Sequence, residues 1–200
     1  MNARLYDFVL SFTERSGLAE RRASLLKQAD GDVLEIGAGT GLNFGYYPSS
    51  ARVVAIEPDP AMARRAIERA RSARASVKVF QLDAQRLSVE DESIDVVVGT
   101  LVMCTIPDPS RALAELRRVL RPGGRYLFIE HVRSESLRLA RWQDRLERPW
   151  GLLGGGCHPN RRTVDVITAT GFKVGELDRF EIGFPLTKPH VAGDAFGDSA

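Results

Sequence analysis

Cysteine is nearly missing from this sequence, with only Cys104 and Cys157 in 200 residues. Two cysteines so far apart give neither a disulfide framework nor the short-spaced pair of a zinc site, so neither a stapled fold nor a bound metal is expected. Their scarcity fits a reducing, cytoplasmic compartment. Long hydrophobic runs are also lacking. The longest early apolar stretch, Leu5 to Phe12, is interrupted by Asp7 and falls far short of the about 20 residues that a membrane span needs; it does not have the form of a cleaved signal peptide. No charge sign dominates: 28 Lys and Arg face 26 Asp and Glu, a formal net charge of +2, which leaves no bulk field to attract nucleic acid. Aromatic residues make up 8% and do not repeat as a platform on which single-stranded bases would stack. What remains is 44% hydrophobic and 27% charged, the balance of one compact domain at roughly 100 to 200 residues per domain.

From Asp32 to Ile129 the chain alternates short β-branched runs with stretches of helical spacing, the pattern of a parallel sheet covered on both faces by helices. The strands expected are Val33 to Ile36, Arg52 to Ile56, Val77 to Leu82, Ile94 to Gly99 and Arg125 to Glu130, each near-continuously apolar as a doubly covered sheet requires. Between them, Pro60 to Ala73 and Ser110 to Leu120 read as helices, each opening with proline in or just before its first turn. Arg121-Pro122-Gly123-Gly124 stops the second. Residues 1–30 form a helical cap whose amphipathic part is Leu18 to Ala29, residues 31–132 the ligand-binding core, and residues 133–192 a set of further helices and closing strands. In that last part, Glu135 to Glu147 and Arg161 to Thr170 are helical, and Phe172 to Phe180 and Glu181 to His190 are strands. Gly193 to Ala200, small and polar, reads as a flexible tail.

The strongest chemical signal is Val33-Leu34-Glu35-Ile36-Gly37-Ala38-Gly39-Thr40-Gly41, an apolar strand running into glycines where an α/β sheet presents its carboxyl ends to ligands. Leu42 stands where the dinucleotide fingerprint requires its third glycine, and no lysine follows as in a phosphate-binding loop. A pyrophosphate cradle is therefore disfavoured. Twenty positions beyond Gly37, Glu57 ends the second strand, where a carboxylate can accept from both ribose hydroxyls. Asp83 closes the third strand, placed to accept from an adenine amino group, and Met62 offers a polarizable neighbour to the ring. Taken together, these residues suit a nucleoside without phosphates.

The order LEIGAGTG, Glu57, Asp83 resembles the class I S-adenosylmethionine-dependent methyltransferases, and Arg118-Val119-Leu120-Arg121-Pro122-Gly123-Gly124 looks like the turn before their fifth strand. The resemblance implies a doubly wound, mostly parallel seven-stranded sheet and S-adenosylmethionine as cofactor, with no metal. It also implies site roles. Glu35 would orient the methionine end and Gly37, Ala38, Gly39, Thr40 and Gly41 would line it. Glu57 would hold the ribose, Asp83 and Ala84 would meet the adenine, and Thr100 and Leu101 would complete the wall; Asn43, Pro58, Met62 and Gln85 are further cofactor-binding candidates. The segments VVVGTLVMCTIPDP, RVLRPGGRYLFIEHV and GGCHPNRRT further resemble the methyltransferase-like thiol S-methyltransferases, which implies a small thiol as methyl acceptor. O-methylation of a phenol, C-methylation of a quinol-like ring and a non-catalytic cofactor-binding partner protein are the alternatives.

Methyl transfer from a sulfonium is an in-line displacement that asks the protein mainly for positioning and water exclusion. His131, directly after the fifth apolar run, and His158, after the Gly154-Gly155-Gly156 loop, are the candidate catalytic groups. Cys104, Cys157 and Asn160 are candidates for the acceptor pocket. Between Arg111 and Arg162 stand 12 arginines against five acids, interleaved with Trp142 and Trp150; a solvated face is the plain reading, and peripheral contact with an anionic membrane, a lid or recognition of an acidic substrate are the alternatives. The expected partner is a small molecule, not a nucleic acid.

Overall fold

The computed structural model describes residue 7 and residues 10–197. Seven strands form one sheet: β1 (Asp32–Ile36), β2 (Arg52–Ile56), β3 (Ser76–Phe80), β4 (Ile94–Thr100), β5 (Leu120–His131), β6 (Lys173–Glu181) and β7 (Pro189–Phe196). Their order is β3-β2-β1-β4-β5-β7-β6, and β7 runs antiparallel to both its neighbours. The helices among the described residues include α1 (Ala19–Leu26), α2 (Pro60–Ala70), α3 (Pro109–Val119), α4 (Leu137–Leu153) and α5 (Thr163–Ala169), and helical residues 10–13 run through a π-helical turn at Glu14–Leu18 into α1.

The apolar runs become central strands because both faces of the sheet are covered. Val33 of β1 and Val53 of β2 pack on one side with Leu26, Phe44 and Leu127, whereas Leu34 of β1 and Val97 of β4 pack on the other with Leu113, Leu116 and Phe128. In register, Ile36 stands beside Ile56 and Gly99, so β1, β2 and β4 end at one level and their following loops share one rim. The chain order reverses at β1, which lies between β2 and β4; such a switch point opens a crevice at the carboxyl edge.

Boundaries differ from the sequence reading where local signals compete with pairing. Leu120 pairs with Ile94 before the register slips to Arg125 beside Val96, so the Arg121–Gly124 turn, with Gly123 at φ 78°, is a bulge within β5 as well as the end of α3. Helix α4 continues six residues past Glu147, through Pro149. The closing strands need a larger correction. Residues 182–188, expected in a strand, lie between strands, and Gly193 to Phe196, assigned above to a flexible tail, pair as part of β7 with Phe128 to Arg125 of β5. Polarity misled there, because Gly193 must be small: a Cβ on it would stand 2.4 Å from the Glu176 carbonyl. Residues 1–6, 8 and 9 of the expected cap and residues 198–200 lie outside the described residues.

Candidate active site

Beyond β1 the chain turns through Gly37 at φ 57°, Gly39 at φ 57° and Gly41 at φ 83°, backbone conformations that side chains disfavour. Each glycine has its own spatial reason. A Cβ on Gly37 would fall 2.1 Å from Val102 Cγ2, and one on Gly41 would fall 2.6 Å from the Phe44 ring; a Cβ on Gly39 would meet nothing within 4 Å, because that residue borders open space. The Glu57 carboxylate accepts from the Gly39 N–H and the Asp59 N–H, both at 2.9 Å. It therefore ties the glycine loop to the start of α2 and keeps acceptor capacity in hand, since an ionised carboxylate can take about four hydrogen bonds. Burial pushes its pKa up while the two N–H groups oppose the shift. Asp59 in turn caps α2, accepting from Ala61 and Met62.

These groups border a cleft of about 400 Å³ at the carboxyl rim. Gly37, Gly39, Glu57, Pro58 and Met62 line one side, Asp83, Ala84 and Gln85 the next, and Leu101 the wall after β4. Nine residues named from sequence thus meet in one cleft, whose size falls within the ordinary range for small-molecule sites. Sequence reasoning missed Asp59, Val102, Thr105 and Ile106, and also Gly154 and Gly155, which arrive from the far end of α4. Larger surface hollows lie beside Arg21 and Asp178 and along Arg138 to Arg145, but neither gathers groups suited to a nucleoside. Leu101 is held at φ 57°, a strained conformation for leucine, with its N–H bonded to the Ile129 carbonyl at 2.7 Å.

The remaining predicted cofactor residues are elsewhere. Ala38 and Gly41 shape the glycine turn from behind, Ala38 donating its N–H to the Ile56 carbonyl at 3.0 Å. Glu35, Asn43 and Thr100 belong to a buried polar network under the loop rather than to the cleft wall. Glu35 accepts from Asn43 Nδ2 at 2.9 Å and from the Tyr47 hydroxyl at 2.7 Å. Arg22 reaches in from α1 to Asn43 Oδ1 and Thr100 Oγ1, both at 2.6 Å, and pairs with Glu14. Burial raises the Glu35 pKa to about 7 against these hydrogen bonds and Arg22. Thr40 is held by Asp7 and Arg69. No spacing rule would have found Arg22 or Tyr47, whose partners lie on other elements.

Behind the Leu101-to-Ile106 wall sits a second buried group. His131 Nε2 is 2.9 Å from Cys157 Sγ, and the ligand atoms of Cys104, His131 and Cys157 all lie within 4.8 Å of one another. Trp150 Nε1 donates to Cys157 Sγ at 3.0 Å. Hydrogen bonding from Cys104 lowers the Cys157 pKa, whereas the same contact and burial raise that of Cys104, so the proton is shared unequally between the sulfurs. Next to them Glu130, wholly buried, accepts from the N–H groups of Val102 and Met103 at 3.0 and 2.8 Å and so fixes the wall's backbone. His158 and Asn160 do not join this group through their side chains. His158 Nδ1 is 2.7 Å from Glu147 and Asn160 Nδ2 is 3.1 Å from Asp144, though the His158 N–H does hold the Cys104 carbonyl at 2.9 Å.

Comparison with known proteins bears on the fold and the family. Residues 34–128 match the family model of the methyltransferase domain. The human thiol S-methyltransferase TMT1A is 36% identical over 169 residues, covering 82% of this chain and 69% of that protein. A phosphatidylethanolamine N-methyltransferase from Cereibacter sphaeroides is 33% identical, covering 75% and 74%. Among solved structures, an S-adenosylmethionine-dependent methyltransferase of Thermotoga maritima superposes with a TM-score of 0.73 over 98% of this chain and 96% of that one, at 23% identity. The 4+2 cyclase SpnF gives 0.74 over 92% and 81% at 17% identity.

Proposed function

The chain belongs to the class I S-adenosylmethionine-dependent methyltransferases, and from that membership we propose that it methylates a small thiol at sulfur. The observation that carries the acceptor class is the similarity to TMT1A over most of both chains; the cleft supports the donor. Its residues fit that donor: open space in front of Gly39, where a side chain would intrude, suits a ligand pressed against the backbone, and Glu57 faces the cleft with spare acceptor capacity. Glu57 would accept from the ribose hydroxyls, and Asp83 with Met62 and Leu101 would enclose the adenine.

S-adenosylmethionine, when bound, supplies an electrophilic methyl group on a sulfonium. The protein's part is to hold the acceptor in line with it and keep water out. The Leu101-to-Ile106 wall and Gly154-Gly155 do this by closing the cleft from two distant parts of the chain. A thiol of pKa about 8.5 is already partly ionised near neutrality, so a strong base is not demanded. Of the two candidate histidines, His131 stands behind that wall, while His158 is turned to Glu147.

The test is incubation with methyl-labelled S-adenosylmethionine and separate pools of alkyl thiols, aryl thiols, phenols, quinols and phosphatidylethanolamine, with products identified by mass spectrometry. A labelled thioether is expected. Label on oxygen, ring carbon or nitrogen would replace the thiol reading; cofactor binding with no label in any pool would favour a non-catalytic partner protein. In the same preparation Glu57→Ala is expected to weaken S-adenosylhomocysteine binding by about 1 to 3 kcal/mol, the loss typical of a charged hydrogen-bond partner. Unchanged affinity in calorimetry would remove Glu57 from the ribose site.

A further inference from the structure

Two cysteines 53 positions apart and a histidine between them carry no metal signature in sequence, yet the fold brings their ligand atoms within 4.8 Å of one another. We propose that Cys104, His131 and Cys157 form a site for a soft divalent cation of the zinc class, and that its fourth position takes the sulfur of the acceptor. The first half stands on geometry alone; the second rests on the thiol reading above.

The donor set is the argument for the metal. Two thiolates and one neutral imidazole balance a dication, and softness selects zinc-class ions over magnesium or calcium. Three protein ligands rather than four are the mark of a zinc site that works on a substrate instead of bracing a fold. The surroundings are dry, with all three side chains buried, and an outer layer is present. Trp150 Nε1–H points at Cys157 Sγ, and Arg161, which donates to the Met103 and Ile106 carbonyls, adds positive charge near both sulfurs. His131 is anchored on β5, Cys104 on the loop after β4 that the Glu130 carboxylate holds, and Cys157 on the loop after α4 that the His158 N–H ties to the Cys104 carbonyl. His131 Nδ1, buried, has no protein partner among the described residues, so tautomer exchange to free Nε2 for a cation breaks no hydrogen bond at Nδ1.

The second half follows from position. Gly154 lines the cofactor cleft, and a Cβ on it would lie 3.5 Å from Cys157 Cβ; Leu101 and Thr105 line the same cleft on either side of Cys104. Cys104 belongs to that wall and Cys157 adjoins Gly154, so a cation held by the three residues would border the cleft, its fourth position open to an acceptor there. A thiol that binds such a cation gives up its proton to solvent and stays a thiolate at neutral pH. The thiolate sulfur then forms the new bond to carbon, the donor's sulfur–methyl bond breaks, and its electron pair leaves with neutral S-adenosylhomocysteine. Nothing is oxidised or reduced.

The test begins with the intact chain under reducing conditions. After chelation and dialysis it is titrated with Zn²⁺ against a competing indicator, and with Co²⁺ followed by absorption. One equivalent of zinc and a cobalt–thiolate charge-transfer band are expected, lost in Cys157→Ser and in His131→Ala while each variant keeps the parent circular dichroism. Failure of the unsubstituted chain to take up either ion, or a band unaffected by both variants, would overturn the site. Addition of an alkyl monothiol to the cobalt form is expected to shift the band; a band that forms but does not move would overturn the acceptor role and leave the metal. Both readouts are independent of turnover, so a negative methylation screen would not be mistaken for a missing metal.

Discussion

At the residue scale, Gly37 and Gly39 share the same backbone angle but not the same surroundings. Alanine at Gly37 must displace Val102 from the core, so Gly37→Ala is expected to cost about 3 kcal/mol, the left-handed penalty together with overpacking. Gly39→Ala meets no protein atom and should cost only about 1 kcal/mol of stability, while its methyl group fills the space in front of the loop and abolishes tight S-adenosylhomocysteine binding. Urea unfolding and calorimetry on the two variants separate these effects; equal losses of stability would refute the assignment. Glu35 carries a second residue-scale consequence. Buried among Tyr47, Asn43 and Arg22, with the Glu57 carboxylate also near, it holds its proton to about pH 7, against 4.5 ordinarily. Between those values the unfolded chain has released the proton and the folded chain has not, so its contribution to stability falls as pH rises and levels off above about 7. From about pH 5.5 to about pH 7.5 the parent is expected to lose about 2 kcal/mol more than Glu35→Gln. Comparing the pH difference within each protein removes the fixed cost of the substitution; equal differences would show that Glu35 titrates normally.

At the scale of elements, α2 links the fold to the site through its cap. Asp59 satisfies the Ala61 and Met62 N–H groups with its side chain and offers its own N–H to Glu57. Asp59→Ala should cost about 1 kcal/mol and lower the melting temperature by about 2 to 4 °C, measurable by calorimetry; no change would mean that water replaces the cap. This region was also the most legible in sequence. β2 matched at both ends, and β1, β4, α2 and α3 were found with small errors, because continuous apolar runs and Asp-Pro starts report directly on burial and capping. Gly37, Gly39, Glu57, Met62 and Asp83 followed from the glycine loop and the strand ends, which in a switch-point sheet fall on one rim, while Pro58, Ala84, Gln85 and Leu101 came with the family resemblance. What sequence could not reveal depends on contacts between distant segments. Glu35 and Thr40 are engaged behind the loop, Gly154 reaches the cleft from the end of α4, and Cys104 meets His131 and Cys157 while the His158 side chain is turned to Glu147. In each case the partner comes from another element, and periodicity carries no trace of it.

At the scale of the whole molecule, the sheet depends on β7. It lies between β5 and β6, pairing with β5 from Arg125 to His131 and with β6 from Lys173 to Glu181. A chain ending at Ala192 would leave Arg125 to Phe128 of β5 without their partners. Such a chain is expected to lose its near-ultraviolet dichroism and its cooperative urea transition, since unpaired edges of a central sheet invite aggregation; a cooperative, native-like transition would contradict that role. No helix among the described residues is long and apolar enough to cross a membrane.

The same placement imposes an order on biosynthesis. β5 and β6 leave the ribosome before the strand that must lie between them, so a nascent chain can complete its β3-β2-β1-β4-β5 half early while β6 has nothing to join. Until Pro189 to Phe196 emerges, the outer edge of β5 stays open to any extended segment nearby, and a second nascent chain on the same message offers one. The interval in which this protein is most exposed to mispairing, and to a chaperone that covers strand edges, is therefore the one between the emergence of β5 and that of β7.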